Sequence, residues 1–164
     1  MVRVLRENAV MSYILLVARL YLGWAWLTAG WEKVIGDFDA TGFLKSAIER
    51  SSGDHPAVQG WWATFLENVA LPYVGFFNFL VAWGEVFVGI GLILGVFTTF
   101  SALMGIVMNF AFLFSGTTST NPQMVLITIF ILVAGYNAGK IGLDRWVIPA
   151  LRGKRRAGHY SPAQ

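Results

Sequence analysis

Arg19, Glu85 and Asn109 are the residues whose types and positions could do chemistry, because each falls inside a long apolar stretch where a charge or an amide must find a partner. Arg19, Gly23, Trp26, Gly30 and Lys33 follow one another at steps of four, three, four and three, a rhythm that places them on one face of a helix. A cation at mid-membrane costs about 2.5–3.5 kcal/mol on insertion scales. Two cations on one stripe therefore imply a polar interior. Counted along their helices, Arg19 lies about 10 Å and Glu85 about 13 Å from the same end, with Asn109 slightly deeper. An Arg19–Glu85 ion pair supported by Asn109 is the expected buried polar core. Such a core has two uses: a structural ion pair that locks helices together, or a proton-relay or ligand-anchoring group in a cavity.

A second polar layer is expected nearer the opposite end. Glu32 and Lys33 close the first apolar stretch, Asn78 lies about a turn and a half into the second, and Asn121 opens the fourth. The position of Lys33 on the Arg19 stripe favours an inward orientation, although lysines near helix ends also snorkel to water. Trp26, Gly30, Lys33, Asn78 and Asn121 are the candidate ligand-binding residues. A cation, amides and aromatic rings around a narrow slot suit the head group of a quinone or another small carbonyl compound. Trp24, Trp26, Trp31 and Trp83 would supply apolar walls. No residue is assigned a catalytic role.

The elements that must hold these groups are four apolar spans, at about 13–35, 72–94, 98–115 and 121–139. Each is long enough for a hydrocarbon core of about 30 Å at 1.5 Å per residue. The chain has 164 residues, 56% of them hydrophobic and 13% charged, with a mean hydropathy of +0.61, well outside the range of an ordinary soluble domain. The expected fold is all-α: a polytopic four-transmembrane-helix bundle forming one domain over 1–149, followed by a basic cytoplasmic tail at 150–164. Pro72 suits a helix start. The short connection at 95–98 makes the second and third spans an antiparallel hairpin. Gly84, Gly91 and Gly95 share a face of the second span and would let helices approach closely, within one protomer or in a homo-oligomer.

Net charge is +3, and its distribution is more informative than its sum. Arg3 and Arg6 precede the first span, and Arg152, Lys154, Arg155 and Arg156 follow the last. The outer loop at 36–71 carries Asp37, Asp39, Glu49, Asp54 and Glu67 against Lys45 and Arg50. By the positive-inside rule both termini are cytoplasmic and the protein is a multi-pass component of the cell membrane. The terminal cations then mark topology or contact with anionic membrane lipid, and no nucleic-acid partner is expected. The loop is too long for a simple connector. Its 40–50 portion reads as a short helix, and 57–69 is amphipathic, a lid over the bundle or an interfacial anchor. The first span lacks the features of a cleavable signal. Asp144 and Arg145 read as a cap or bridge at the surface.

There is no cysteine, and the two histidines, His55 and His159, lie outside the spans. A thiolate metal site, an iron–sulfur cluster, covalent haem and bis-histidine haem within the spans are therefore excluded for this chain. Hydrolase and nucleotide motifs are missing as well: no GxSxG, no Walker loop, and no GxGxxG between a strand and a helix.

Several of these residues, taken in order, resemble the DoxX family of small four-span membrane proteins. The resemblance rests on Arg19-Leu20 and Gly30-Trp31-Glu32-Lys33, then Trp83-Gly84-Glu85, Gly91-Leu92-Ile93-Leu94-Gly95 and Met108-Asn109. It ends with Ala134-Gly135-Tyr136-Asn137-Ala138-Gly139 and Gly142-Leu143-Asp144. The family takes its name from proteins linked to terminal quinol oxidase and thiosulfate:quinone oxidoreductase. The resemblance implies a bundle working beside the quinone pool with partner membrane or redox subunits. At most it implies a subunit of a quinone-linked oxidoreductase in the respiratory chain that needs a partner for turnover. The competing expectations are a non-catalytic scaffold or accessory subunit and, ranked below both, a small oligomeric transporter.

Overall fold

The structure, a computed structural model, describes residues 2–157, with side chains up to residue 151. The described chain is all-helical. α1 (Val2–Glu7) meets α2 (Ala9–Ile35) at Asn8, whose side chain accepts hydrogen bonds from the backbone N–H groups of Val10 and Met11 and so caps α2. Next come α3 (Thr41–Glu49) and α4 (Gly60–Phe65), the latter extended by a π turn at Leu66–Ala70. Then follow α5 (Val74–Leu94), α6 (Thr98–Phe114), α7 (Asn121–Ala134), α8 (Tyr136–Gly139) and α9 (Asp144–Ala157). α9 crosses the boundary expected at 149. The side chains of Arg152, Lys154, Arg155 and Arg156, and residue His159, lie outside the described residues.

The helices α2, α5, α6 and α7 pack in a ring, α2 on α5, α5 on α6, α6 on α7, and α7 back on α2, with α8 between α2 and α6. Two of the four, α2 and α5, are long and apolar enough to cross a membrane. α6 and α7, at 17 and 14 residues, are shorter apolar helices. The fourth span was expected to run to Gly139, but the helix stops at Gly135. There φ is +57° and ψ −125°, a conformation that ends α-helical hydrogen bonding, and the chain resumes as the single turn α8. Pro72 precedes α5 rather than opening it.

Glycines set the α2–α5 seam. A Cβ on Gly30 would lie 2.6 Å from the Val86 nitrogen, and one on Gly89 would lie 2.6 Å from the Leu27 nitrogen. The two backbones are therefore almost in contact. The expected glycine face of α5 is used differently. Gly91 faces Ser101 of α6, Gly84 faces Met108, and Gly95 ends the helix at φ +65°. All three serve packing within one chain. Gly89→Ala is expected to cost about 1–3 kcal/mol, because the added methyl meets backbone that cannot rotate aside. Thermal unfolding in detergent would test this, and an unchanged Tm would refute the close approach.

The interior is unusual in what it buries. Arg19, Glu85, Asn109, Ser101, Thr128 and Asn137 are inside, alongside Leu15, Leu22, Trp26, Val88, Leu92 and Ile131. The outer faces carry exposed Val17, Tyr21 and Trp24 on α2, Phe79 and Phe87 on α5, Phe100 and Val107 on α6, and Leu126 and Phe130 on α7. Large apolar groups outside and polar groups inside invert the usual soluble pattern.

The 36–71 segment folds over one end of the ring with a small core of its own. Ala40, Leu44, Ala47, Leu66 and Ala70 pack with Phe43, Phe65 and Phe77. Trp62 donates from Nε1 to Ser115 Oγ at 2.9 Å, and Arg50 donates to the Gly116 carbonyl at 3.3 Å, fastening the cap to the end of α6.

Candidate functional site

Lys33 turns inward. Its Nζ donates to Glu85 Oε2 at 2.6 Å and to the Ala29 carbonyl at 3.3 Å, and it lies 5.6 Å from the centroid of the Phe38 ring. Gly30, one turn before Lys33, makes this pair possible. Its missing side chain lets the Cβ of Glu85 come against α2. The carboxylate is sealed, with a side chain 2% exposed, whereas the lysine side chain is 24% exposed and reaches the surface beneath the cap.

The expected Arg19–Glu85 pair is not formed. The seam sets Gly30 against Glu85 and Val86, Gly23 against Gly89 and Ile93, and Arg19 against Gly95. Arg19 is therefore level with the end of α5. Glu85 sits eleven α2 residues farther along, opposite Gly30, about 16 Å away at 1.5 Å per residue. The nearer cation, Lys33, takes the carboxylate.

Asn109 lies in the Glu85 layer, since Gly84 meets Met108, the residue before Asn109. It is fully buried, and neither its Oδ1 nor its Nδ2 has a hydrogen-bond partner among the described residues. The Trp26 Nε1–H, one turn below and set against Gly105, is likewise buried and unpartnered. Buried polar groups are seldom left unsatisfied, so each of these needs a reason. Lys33, Glu85, Asn109 and Trp26 thus supply a cation, an anion and two unspent hydrogen-bonding side chains within one half of the ring.

Asn78 and Asn121 do not join them. Asn78 accepts from the Ala40 N–H at 3.0 Å and donates to Asp39 Oδ1 at 3.3 Å, tying the cap to α5. Asp39 also accepts from the hydroxyl and N–H of Thr41, and these bonds, with that from Asn78, hold its carboxyl below the usual range. Asn121 donates to the Thr117 carbonyl at the start of α7. Among the four tryptophans proposed as walls, Trp26 alone is buried. Trp24 and Trp31 face outward, and Trp83 is half-buried between the tilted rings of the exposed Phe79 and Phe87 on α5.

Arg19 anchors a different centre at the opposite end. Its Nη1 donates to the Ala138 carbonyl at 3.0 Å and its Nη2 to that of Ile141 at 2.7 Å. Gly95 and Gly142 close over the guanidinium. Asp144 was expected at the surface but is buried, because it caps α6. Its two oxygens accept from the N–H groups of Phe97 at 2.7 Å and Thr98 at 2.9 Å. Its charge also acts on Arg19. Sequence reasoning missed this partnership, although Asp144 as the first residue of a helix after Gly142 was a usable signal.

Among the described residues no group of three His, Asp or Glu side chains could hold a metal ion. The family model for DoxX matches residues 14–118. That stretch contains the whole Lys33–Glu85–Asn109 layer. No curated protein matches the chain, and no solved structure does. The matched family and the two long apolar helices together point to a membrane protein.

Proposed function

The chain belongs to the DoxX family, and from that premise we propose an integral membrane subunit of quinone-linked redox chemistry, of the thiosulfate:quinone oxidoreductase kind. α2, α5, α6 and α7, the last prolonged by α8, form the four spans. Their apolar outer faces support that placement, as lipid would cover them. The positive-inside rule puts α1 and α9 in the cytoplasm of a cell-membrane protein and the cap outside.

The observation that carries the ligand reading is the unpartnered Asn109 amide and Trp26 N–H in the layer of the Lys33–Glu85 pair. These groups fit a quinone head group, whose carbonyl oxygens need donors in an apolar surround. Asn109 and Trp26 would hold and orient it, Lys33 would favour negative charge on it, and Glu85 would be the group to hold or release a proton. When bound, a quinone supplies two-electron redox capacity that this cysteine-free chain lacks. The other redox group then belongs to the substrate or to a partner subunit.

A non-catalytic scaffold is the second reading. It is favoured by Arg19, Asn78 and Asn121, whose hydrogen bonds tie elements of the protein together: Arg19 and Asn121 to backbone carbonyls, and Asn78 to the Ala40 N–H and Asp39. Mass spectrometry of lipophilic molecules and subunits co-purifying from the native membrane separates the two. Retained quinone that is lost in Lys33→Met/Glu85→Leu, a double change that leaves no unpaired charge, is the expected result. Partner subunits without quinone would replace the ligand reading by the scaffold.

A further inference from the structure

At the end of the ring holding Arg19, an open groove of about 420 Å³ runs between α2 at Leu16 and Arg19, the end of α5, and the chain from Ile141 into the start of α9. One wall is apolar: Leu16 of α2, with Ile93 and Leu94 of α5. The other carries Arg19, Arg145 and Trp146. Arg145 lies over the Trp146 ring at 4.5 Å, and both side chains are exposed. Arg19 is almost fully buried, and its Nε has no hydrogen-bond partner. The nearby acid, Asp144, borders a separate groove with Thr98 and Tyr136 and spends its oxygens on the α6 cap. The α2–α5–α9 groove thus joins the exposed Arg145 guanidinium, with the buried Arg19 charge behind it, to an apolar wall that continues into the exposed faces of α2 and α5 at Val17, Leu20 and Ile90.

We propose that this groove is a binding site for an anionic phospholipid, with the phosphate against the exposed Arg145, in the field of the buried Arg19 behind it, and an acyl chain along Leu16, Ile93 and Leu94. Guanidinium groups recognise phosphate oxygens by directed hydrogen bonds. A tryptophan belongs where head groups meet acyl chains. A free anion would satisfy the arginines but leave the apolar wall unused, so the membrane's own lipid is the occupant. The site is separate from the Lys33–Glu85 layer and needs only that α2 and α5 lie in the bilayer. Retention in the membrane fraction after an alkaline wash tests that condition by itself.

The test compares purified protein in mixed micelles containing phosphatidylglycerol or phosphatidylcholine, with thermal unfolding and native mass spectrometry as readouts. Phosphatidylglycerol is expected to raise Tm by about 3–6 °C over phosphatidylcholine and to leave one lipid bound. Arg145→Gln should lose at least half of that shift, whereas Arg3→Gln, which removes an equal charge at an exposed position, should keep it. Equal stabilisation by the two lipids overturns the proposal. Equal losses in Arg145→Gln and Arg3→Gln overturn it in favour of diffuse surface charge. Stabilisation reproduced by inorganic phosphate alone overturns it in favour of a simple anion site.

Discussion

Lys33→Met is expected to destabilise the protein more than Glu85→Leu, although the two changes break the same ion pair. The asymmetry follows from exposure. Without Glu85, the lysine can swing its ammonium toward water along its flexible stem, since a quarter of the side chain is already exposed. Without Lys33, the carboxylate has no such route, because its side chain is 2% exposed. Lys33→Met is therefore expected to cost about 3–5 kcal/mol, the range for stranding one member of a buried pair. Glu85→Leu should cost about 1–3 kcal/mol. The double variant should return to within about 1 kcal/mol of the parent, because an apolar pair of similar volume replaces the ionic one. Thermal unfolding of all four proteins in one detergent gives the cycle. Losses that simply add in the double variant would show that the two charges are uncoupled.

The second large effect is expected at Asp144. Asp144→Ala removes the cap of α6, worth about 0.5–2 kcal/mol. It also leaves the Phe97 and Thr98 N–H groups without their acceptor and removes a negative charge near Arg19, and the sum should reach about 2–4 kcal/mol. Asp144→Asn separates the contributions, since the amide oxygen can still accept from Phe97 or Thr98 while the charge is gone. Unfolding midpoints for the two variants should therefore differ, with Asn the milder. If the two are equally destabilised, the cap contributes nothing and the charge accounts for the whole effect.

Helical periodicity alone placed Arg19, Gly23, Trp26, Gly30 and Lys33 on one face, because that relation is local to a single helix. The choice of Lys33 over Arg19 as partner of Glu85 was not local. It depends on the sliding register of α2 against α5, which is fixed by the contact of Gly30 with Val86 and of Gly89 with Leu27. Hydropathy misjudged that register because it set the edge of the first apolar run, near Tyr13, level with the end of the second, whereas α2 runs about ten residues past the end of α5. α2 begins at Ala9, and Arg19, not Tyr13, is level with Gly95. The same limit applies to Trp24 and Trp31, whose outward orientation depends on where the neighbouring helices stand. The break at Gly135 was within reach, since the glycine interrupts the last apolar run. The capping role of Asp144 could be guessed, but its burial depended on the meeting of α5, α6 and α9.

The Arg19 centre has a consequence for how the molecule comes together during synthesis. The first long helix carries its arginine into place well before the acceptors exist: the Ala138 and Ile141 carbonyls lie 119 and 122 residues downstream. The turn between α5 and α6 waits in the same way, because Phe97, held at φ +48°, and Thr98 receive their acceptor from Asp144, 47 and 46 residues later. Asn137 then reaches back to the Leu5 and Asn8 carbonyls. The segment around α8 and the start of α9 thus works as a latch. Until it emerges from the ribosome, the nascent bundle holds a costly unpaired cation and an unfastened hairpin, and its arrival settles both at once.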